Sequence, residues 1–288
     1  MLIFFLADVT IMLILYFLSK NKYNEYIEPL DKKEYKLKDI MPMGFYILDK
    51  LKHKYSTKYD RNLQTKIAEI KGAKYSMYYL QVHLANKIAL ILLLILLLSL
   101  IGASMGQIDM GYIVFALVVI ALVAYFTDHE LVEKVKKRRL SIQIDFPDFL
   151  NKLTLLINAG MTVPKAWEKI VGENKKKSIL YDELSMVIAD IRGGKSEISA
   201  YEDFAKRCRI PEITKFASVV LQNLRKGNSE LVAILRLQAT ECWEMRKHAA
   251  KRMGEEAATK ILFPMMIMFF AVILIVATPA VLAMSGAM

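Results

Sequence analysis

Three stretches of this chain, residues 1–19, 88–127 and 261–288, contain no Lys or Arg, and their only acids are Asp8 and Asp109. All 40 basic residues lie between them, 15 in 20–87 and 25 in 128–260. This segregation constrains the fold more than any motif does. A helix needs about 20 apolar residues to cross a bilayer. Residues 1–18 form one such run, interrupted only by Asp8. Residues 88–108 form an uncharged run of 21, 110–127 a run of 18, and 261–288 a run of 28. The pattern predicts four transmembrane helices. It also explains how 55% hydrophobic residues coexist with a net charge of +11. A secreted globular protein, a disordered chain and a simple cytosolic enzyme are excluded, because none combines and separates apolar and charged sequence in this way.

Topology follows from counting. About seven residues, Ser104–Met110, separate the second and third spans, so those two form an antiparallel hairpin. The two basic segments then share one side of the membrane, and the positive-inside rule makes that side cytoplasmic. Lys20, Lys22, Lys87, Lys134–Arg139 and Lys260 supply the basic flanks. Both termini are expected outside an inner (cytoplasmic) membrane that the chain crosses several times. The first segment lacks a basic n-region and reads as an uncleaved signal anchor. The expected organisation is a first transmembrane helix (1–19), a cytoplasmic helical segment (20–87), a hairpin (88–127), a cytoplasmic helical bundle (128–260) and a fourth transmembrane helix (261–288).

Within 20–87 the periodicity gives a helix over Tyr59–Lys71, with Leu63, Ile67 and Ile70 on one face and Gly72 as its C-cap. Met41–Leu51 is a short apolar patch, and the segment by itself is too short for a large core. Residues 128–260 show helical periodicity and no strand alternation. Punctuation predicts six helices. The first covers Ser141–Asn158, with Phe146, Phe149, Leu150, Leu153, Leu156 and Ile157 on one face. The second follows Thr162 and Pro164. The third spans Ser178–Ile191 and stops at Gly193–Gly194. Ser199 and Glu202 have capping-box spacing for the fourth. The fifth runs from Glu212 to Lys226 and stops at Gly227. The sixth starts at Asn228 or Ser229 and has no stop signal before Pro264, so it is expected to run directly into the last span. Pro264 and Pro279 are expected to kink or open it.

Recognisable chemistry is sparse. The octapeptide Ala189–Ser196 (ADIRGGKS) ends like a phosphate loop. That loop requires Gly where Ala189 stands, and a preceding strand rather than a helix. His53, His83, His129 and His248 lie far apart, without metal-ligand spacing. Cys208 and Cys242 form no CxxC pair and read as reduced thiols. Asp8, the one acid well inside a span, is a possible intramembrane polar site. Gly102 and Gly106 form a GxxxG pair that suits close helix packing. No catalytic residues, cofactor or metal are expected, and no nucleic-acid partner.

One region carries a family pattern. Asp145–Trp167 (DFPDFLNKLTLLINAGMTVPKAW) resembles the opening of the type II secretion system F domain. The resemblance continues through Asp190–Ser196 (DIRGGKS), Phe204–Arg207 (FAKR) and Pro211–Phe216 (PEITKF). It closes with Arg252–Pro264 (RMGEEAATKILFP). The pattern positions are Asp145, Pro147, Ala159, Gly160, Gly193, Gly194, Pro211, Glu212, Glu255, Glu256 and Pro264. One such domain behind a membrane hairpin is most similar to the TadB/TadC proteins of tight-adherence (Tad) pilus systems, and closer to TadC. GspF/PilC-like proteins with two F domains fit less well, because 20–87 is too short for a second copy.

The resemblance implies a non-enzymatic platform protein in the inner membrane. Its implied partners are membrane lipid, a hexameric secretion ATPase, a paralogous TadB-like F-domain protein, and the pilin or prepilin drawn from the membrane, in a homo- or hetero-oligomer. Two other classes compete. A small transporter or channel with a cytoplasmic helical regulatory domain predicts polar groups in several spans. A membrane-tethered enzyme predicts a base, nucleophile or metal cluster.

Overall fold

The computed structural model describes residues 2–20, 22–32, 34–105, 109–226 and 230–285, with side chains for all of these but 2–4, 105, 224–226 and 280–285. The described residues are helical, with no strand among them. The chain divides into two compact units, Met1–Arg138 and Arg139–Met288.

The first unit contains α1 (Leu2–Lys20), the single turn α2 (Asn24–Ile27), α3 (Met41–Lys50), α4 (Lys58–Lys71), α5 (Ser76–Met105) and the first part of α6 (Met110–Asn158). α1 packs on α3 and α5, and α4 packs on α5. Thr57 caps α4: its side chain accepts from the Asp60 N–H while Asp60 returns the bond to the Thr57 N–H, so two otherwise orphan donors are satisfied. Gly72 ends α4 at φ +87°. Segment 20–87 builds more core than its length suggests. Tyr23, Ile27, Met41, Phe45, Leu63 and Ile67 are buried together with Leu80 and Ala85 of α5 and Leu131 of α6. The early turns of α5 and the middle of α6 complete this core, which no pattern within 20–87 reveals.

The second unit contains the end of α6, then α7 (Val163–Glu173), α8 (Ile179–Arg192), α9 (Glu197–Cys208), α10 (Pro211–Lys226) and α11 (Leu231–Ser285). All of them contribute to one core. Trp167 sits at its centre, with ring centroids 4.9 Å from Phe149, 5.1 Å from Tyr201 and 5.4 Å from Phe204. Its indole N–H donates to the Leu184 carbonyl at 3.2 Å. The predicted stripe on the first bundle helix is the face that faces this core: Phe146, Phe149, Leu150, Leu153 and Ile157 are buried and Leu156 partly so.

Two helix boundaries differ from expectation. The third span and the first bundle helix are one 49-residue helix, α6. Residues 128–140 contain no Gly or Pro, and Glu130–Lys134 (2.9 Å) and Glu133–Lys136 (2.8 Å) pair along the helix, so nothing interrupts it. α9 starts earlier than Ser199. Ser196 is its N-cap and accepts from the Ser199 N–H at 3.2 Å. Thr162 is the N-cap residue of α7 but makes no side-chain cap bond. The Gly227 stop, the Asn228–Ser229 start and Gly106 lie outside the described residues.

Three helices, α5, α6 and α11, contain stretches long and apolar enough to cross a membrane. The apolar stretches of α6 and α11 are uncovered by protein, and α5 is only partly covered. That is how side chains that face lipid are disposed, so the chain is membrane-associated.

Candidate functional site

The family-pattern positions occupy the turns and braces of the second unit. Asp145 on α6 is buried and accepts from Lys176 Nζ at 2.5 Å and from the Ser178 hydroxyl. One carboxylate thereby ties the α7–α8 connection to α6. Pro147, buried two residues later, lies inside α6. Ala159 and Gly160 end α6. The Met161 N–H reaches back to the Leu156 carbonyl at 3.1 Å, and Gly160 takes φ +91°. This is a Schellman turn, and its left-handed position suits glycine. Gly193 and Gly194 repeat the device after α8. Gly194 has φ +89°, and the Lys195 N–H reaches the Asp190 carbonyl at 3.1 Å. ADIRGGKS is therefore a helix–turn–helix corner.

That corner holds a charge network. Lys195 Nζ lies 2.6 Å from Asp203 and 3.4 Å from Asp190. Arg207 Nε lies 2.7 Å from Glu183, and its Nη1 lies 3.6 Å from Asp190. The hydrogen bond to Asp203 raises the Lys195 pKa, and Lys195 in turn holds the Asp203 carboxyl below the usual carboxylate range. The lysine that imitates a phosphate-loop lysine is clamped between two carboxylates. Two separate stretches of the family pattern, 190–196 and 204–207, thus meet in one brace across α8 and α9. The spacing alone did not reveal this, because the contact joins two helices rather than two turns of one.

Pro211 and Glu212 open α10 directly after Arg209, which closes α9 in the left-handed region at φ +52°. Glu212 Oε2 is buried without a hydrogen-bond partner. Lys215 of α10 pairs with Glu241 of α11 at 2.7 Å. That pair ties α10 to α11 within the unit.

α11 is the element that reaches furthest. Leu231, Leu235, Gln238, Ala239 and Cys242 are buried in the unit's core. From Trp243 onward the described side chains are almost all exposed, and the helix continues unbroken through Pro264 and Pro279. It spans 55 residues, about 80 Å. Glu255 lies 3.9 Å from Lys251, and Glu256 is exposed beside it. From Ile261 to Val276 no charge occurs, and every large apolar side chain is more than 40% exposed.

The first unit holds a polar cluster that the sequence reading missed. Asp128 of α6 accepts from Lys87 Nζ and Tyr59 Oη, each at 2.7 Å, and lies 3.2 Å from His83 Nε2. Lys87 also donates to Tyr59 at 2.9 Å. The cluster joins α4, α5 and α6 where the uncharged stretch 88–127 ends. Its hydrogen bonds join residues 28 to 69 positions apart, so only the hairpin brings them together. Asp8 is half-buried on α1 and makes no hydrogen bond or ion pair among the described residues. Cys208 and Cys242 are buried and form no disulfide with each other. Among the described residues, no group of three His, Cys, Asp or Glu side chains could hold a metal ion.

The fold and these braces define an all-helical, membrane-associated protein whose second unit is a helical bundle continued by a long apolar helix. Residues 149–279 match the family model described as Type II secretion system (T2SS), protein F. No curated protein and no solved structure matches the chain.

Proposed function

We propose that this chain is an inner-membrane platform protein of a type II secretion or type IV pilus assembly machine, of the Tad kind and closer to TadC than to TadB. The observation that carries the reading is α11. Its first turns are part of the core of the family-matched bundle, and the same helix becomes an uncovered apolar rod. A displacement of the bundle is thereby delivered to the membrane without an intervening loop. In this reading α1 is a fourth span. It is 19 residues long, about 28 Å, and exposes Leu6, Ile11, Ile14 and Phe17. The termini face outward, and the braced bundle lies in the cytoplasm as a six-helix F domain.

The role is mechanical. A hexameric secretion ATPase docks on the bundle, a paralogous F-domain protein completes the platform, and a pilin helix moves along the uncovered face of α11. The Met and Phe side chains at 265, 266, 268, 269 and 270 give that face an adaptable surface. The chain itself performs no chemistry in this scheme. The test is recovery of the tagged full-length protein from native membranes in mild detergent, with mass spectrometry of its companions. Enrichment of a secretion ATPase and a second F-domain membrane protein is the expected result. Recovery of the folded protein with neither counts against the role and returns the transporter and tethered-enzyme alternatives.

A further inference from the structure

We propose that the cleft between α4, α5 and α6 in the first unit binds the headgroup of a zwitterionic phospholipid of the phosphoethanolamine class. The proposal rests on membrane embedding of the 88–127 hairpin, and not on the platform role.

The cleft is open, with a volume of about 110 Å³. Its polar wall carries charge of both signs in matched pairs. Lys71 Nζ lies 2.8 Å from Glu34, and Lys134 Nζ lies 2.9 Å from Glu130. An anion alone would face two carboxylates, and a cation alone would face two ammonium groups. A zwitterion meets each pair favourably, with its phosphate beside the lysines and its ammonium beside the acids. Three further polar groups line the cleft and make no hydrogen bond among the described residues, the Tyr35 and Tyr79 hydroxyls and the Asn86 amide. All three are partly buried, so they gain from a polar ligand that supplies the missing bonds.

Depth and shape specify a lipid rather than a soluble headgroup. Asn86 and Thr127 line the cleft and bracket the uncharged stretch 88–127, which sets the cleft at the edge of the hydrocarbon layer. Ile67, Ile70 and Leu131 form its apolar wall, suited to the glycerol and upper acyl carbons. Lysine stems at this level are the usual companions of headgroups.

The test uses the full-length protein, delipidated in neutral detergent, in native mass spectrometry with added phosphatidylethanolamine. Phosphatidylglycerol of the same acyl chains, soluble phosphoethanolamine and inorganic phosphate serve as comparisons. Phosphatidylethanolamine is expected to be retained about tenfold more than phosphatidylglycerol. The double variant Tyr35→Phe/Asn86→Ala should lose about tenfold of that binding with an unchanged melting temperature, since neither group bonds to protein. A second variant, Glu130→Gln, removes an exposed acid and should shift preference toward phosphatidylglycerol. Equal retention of both lipids, or wild-type binding by the variants, overturns the site. Saturation by phosphoethanolamine or phosphate at the lipid's concentration overturns the lipid as its occupant.

Discussion

Arg207 of α9 donates through Nε to Glu183 of α8 at 2.7 Å, and the Glu183 side chain is only 7% exposed. A buried carboxylate of this kind is tolerated because a guanidinium meets it. Removing the guanidinium leaves most of the desolvation penalty behind. Arg207→Ala is therefore expected to destabilise the second unit by about 3 kcal/mol, and Arg207→Lys by less, since lysine keeps the charge and loses the planar donors. Thermal melting of the purified full-length protein checks this. Equal melting of wild type and Arg207→Ala would show the brace to be dispensable.

Two glycines should fail for opposite reasons. A Cβ on Gly44 of α3 would lie 2.1 Å from the Ala85 carbonyl oxygen of α5. Backbone cannot yield cheaply there, so Gly44→Ala is expected to loosen the α3–α5 contact by about 2–3 kcal/mol. A Cβ on Gly160 meets nothing within 4 Å, but φ is +91°. Gly160→Ala should lose about 1 kcal/mol through backbone strain alone, and Gly160→Val more. Denaturant titration of both variants that ranked Gly160→Ala as the more damaging would contradict this assignment.

Asp60 gives the first unit a pH dependence. Burial by itself raises its pKa. The Thr57 hydroxyl at 2.7 Å, the His53 ring at 3.0 Å and the Thr57 N–H at 3.2 Å outweigh burial and hold the carboxyl below its usual range. A carboxyl depressed in the folded state stabilises fully above its unfolded pKa, near 4, and that contribution disappears as pH falls through the folded value. Asp60→Asn should be destabilised by about 1–2 kcal/mol at pH 7 and should approach wild type below about pH 4. Melting curves across that range decide it. A gap between the two proteins as wide at pH 3 as at pH 7 would contradict the assignment.

Asp128 holds α4, α5 and α6 together through Lys87, Tyr59 and His83. The Lys87 side chain is only 17% exposed, so Asp128→Asn leaves a half-buried ammonium without its anion. A loss of about 2–3 kcal/mol is expected, against about 1 for Tyr59→Phe, which removes one neutral bond. Limited proteolysis of the α3–α4 connection should accelerate in the same order. Identical digestion of all three proteins would count against the cluster as a structural tie.

Much of this architecture is legible in the chain because its signals are local. The uncharged stretches mark helices that face lipid, the Phe146–Ile157 stripe marks a core face, and Gly72, Gly160 and Gly194 mark helix ends. The misses have a common cause. Nothing local announces that α6 continues through 128–140, because a charged helix held by its own i,i+4 pairs looks like a linker. Ser196 and Ser199 both offer cap hydroxyls, and the local pattern does not distinguish the true α9 cap, Ser196, from Ser199 three residues on. The Asp128 cluster and the Arg207–Glu183 brace join residues 24 or more apart, and only tertiary packing brings them within bonding distance.

In the proposed role, α11 carries motion from the bundle to a passenger in the membrane. Photocrosslinking residues placed singly at Met253, Met266 and Phe270 of the full-length protein, activated in native membranes, test it most directly. The account predicts that Met266 and Phe270 capture a small membrane subunit of pilin type while Met253 captures a partner of the assembly machine. Capture of lipid alone at 266 and 270, in membranes where the secretion ATPase still co-purifies, would contradict it.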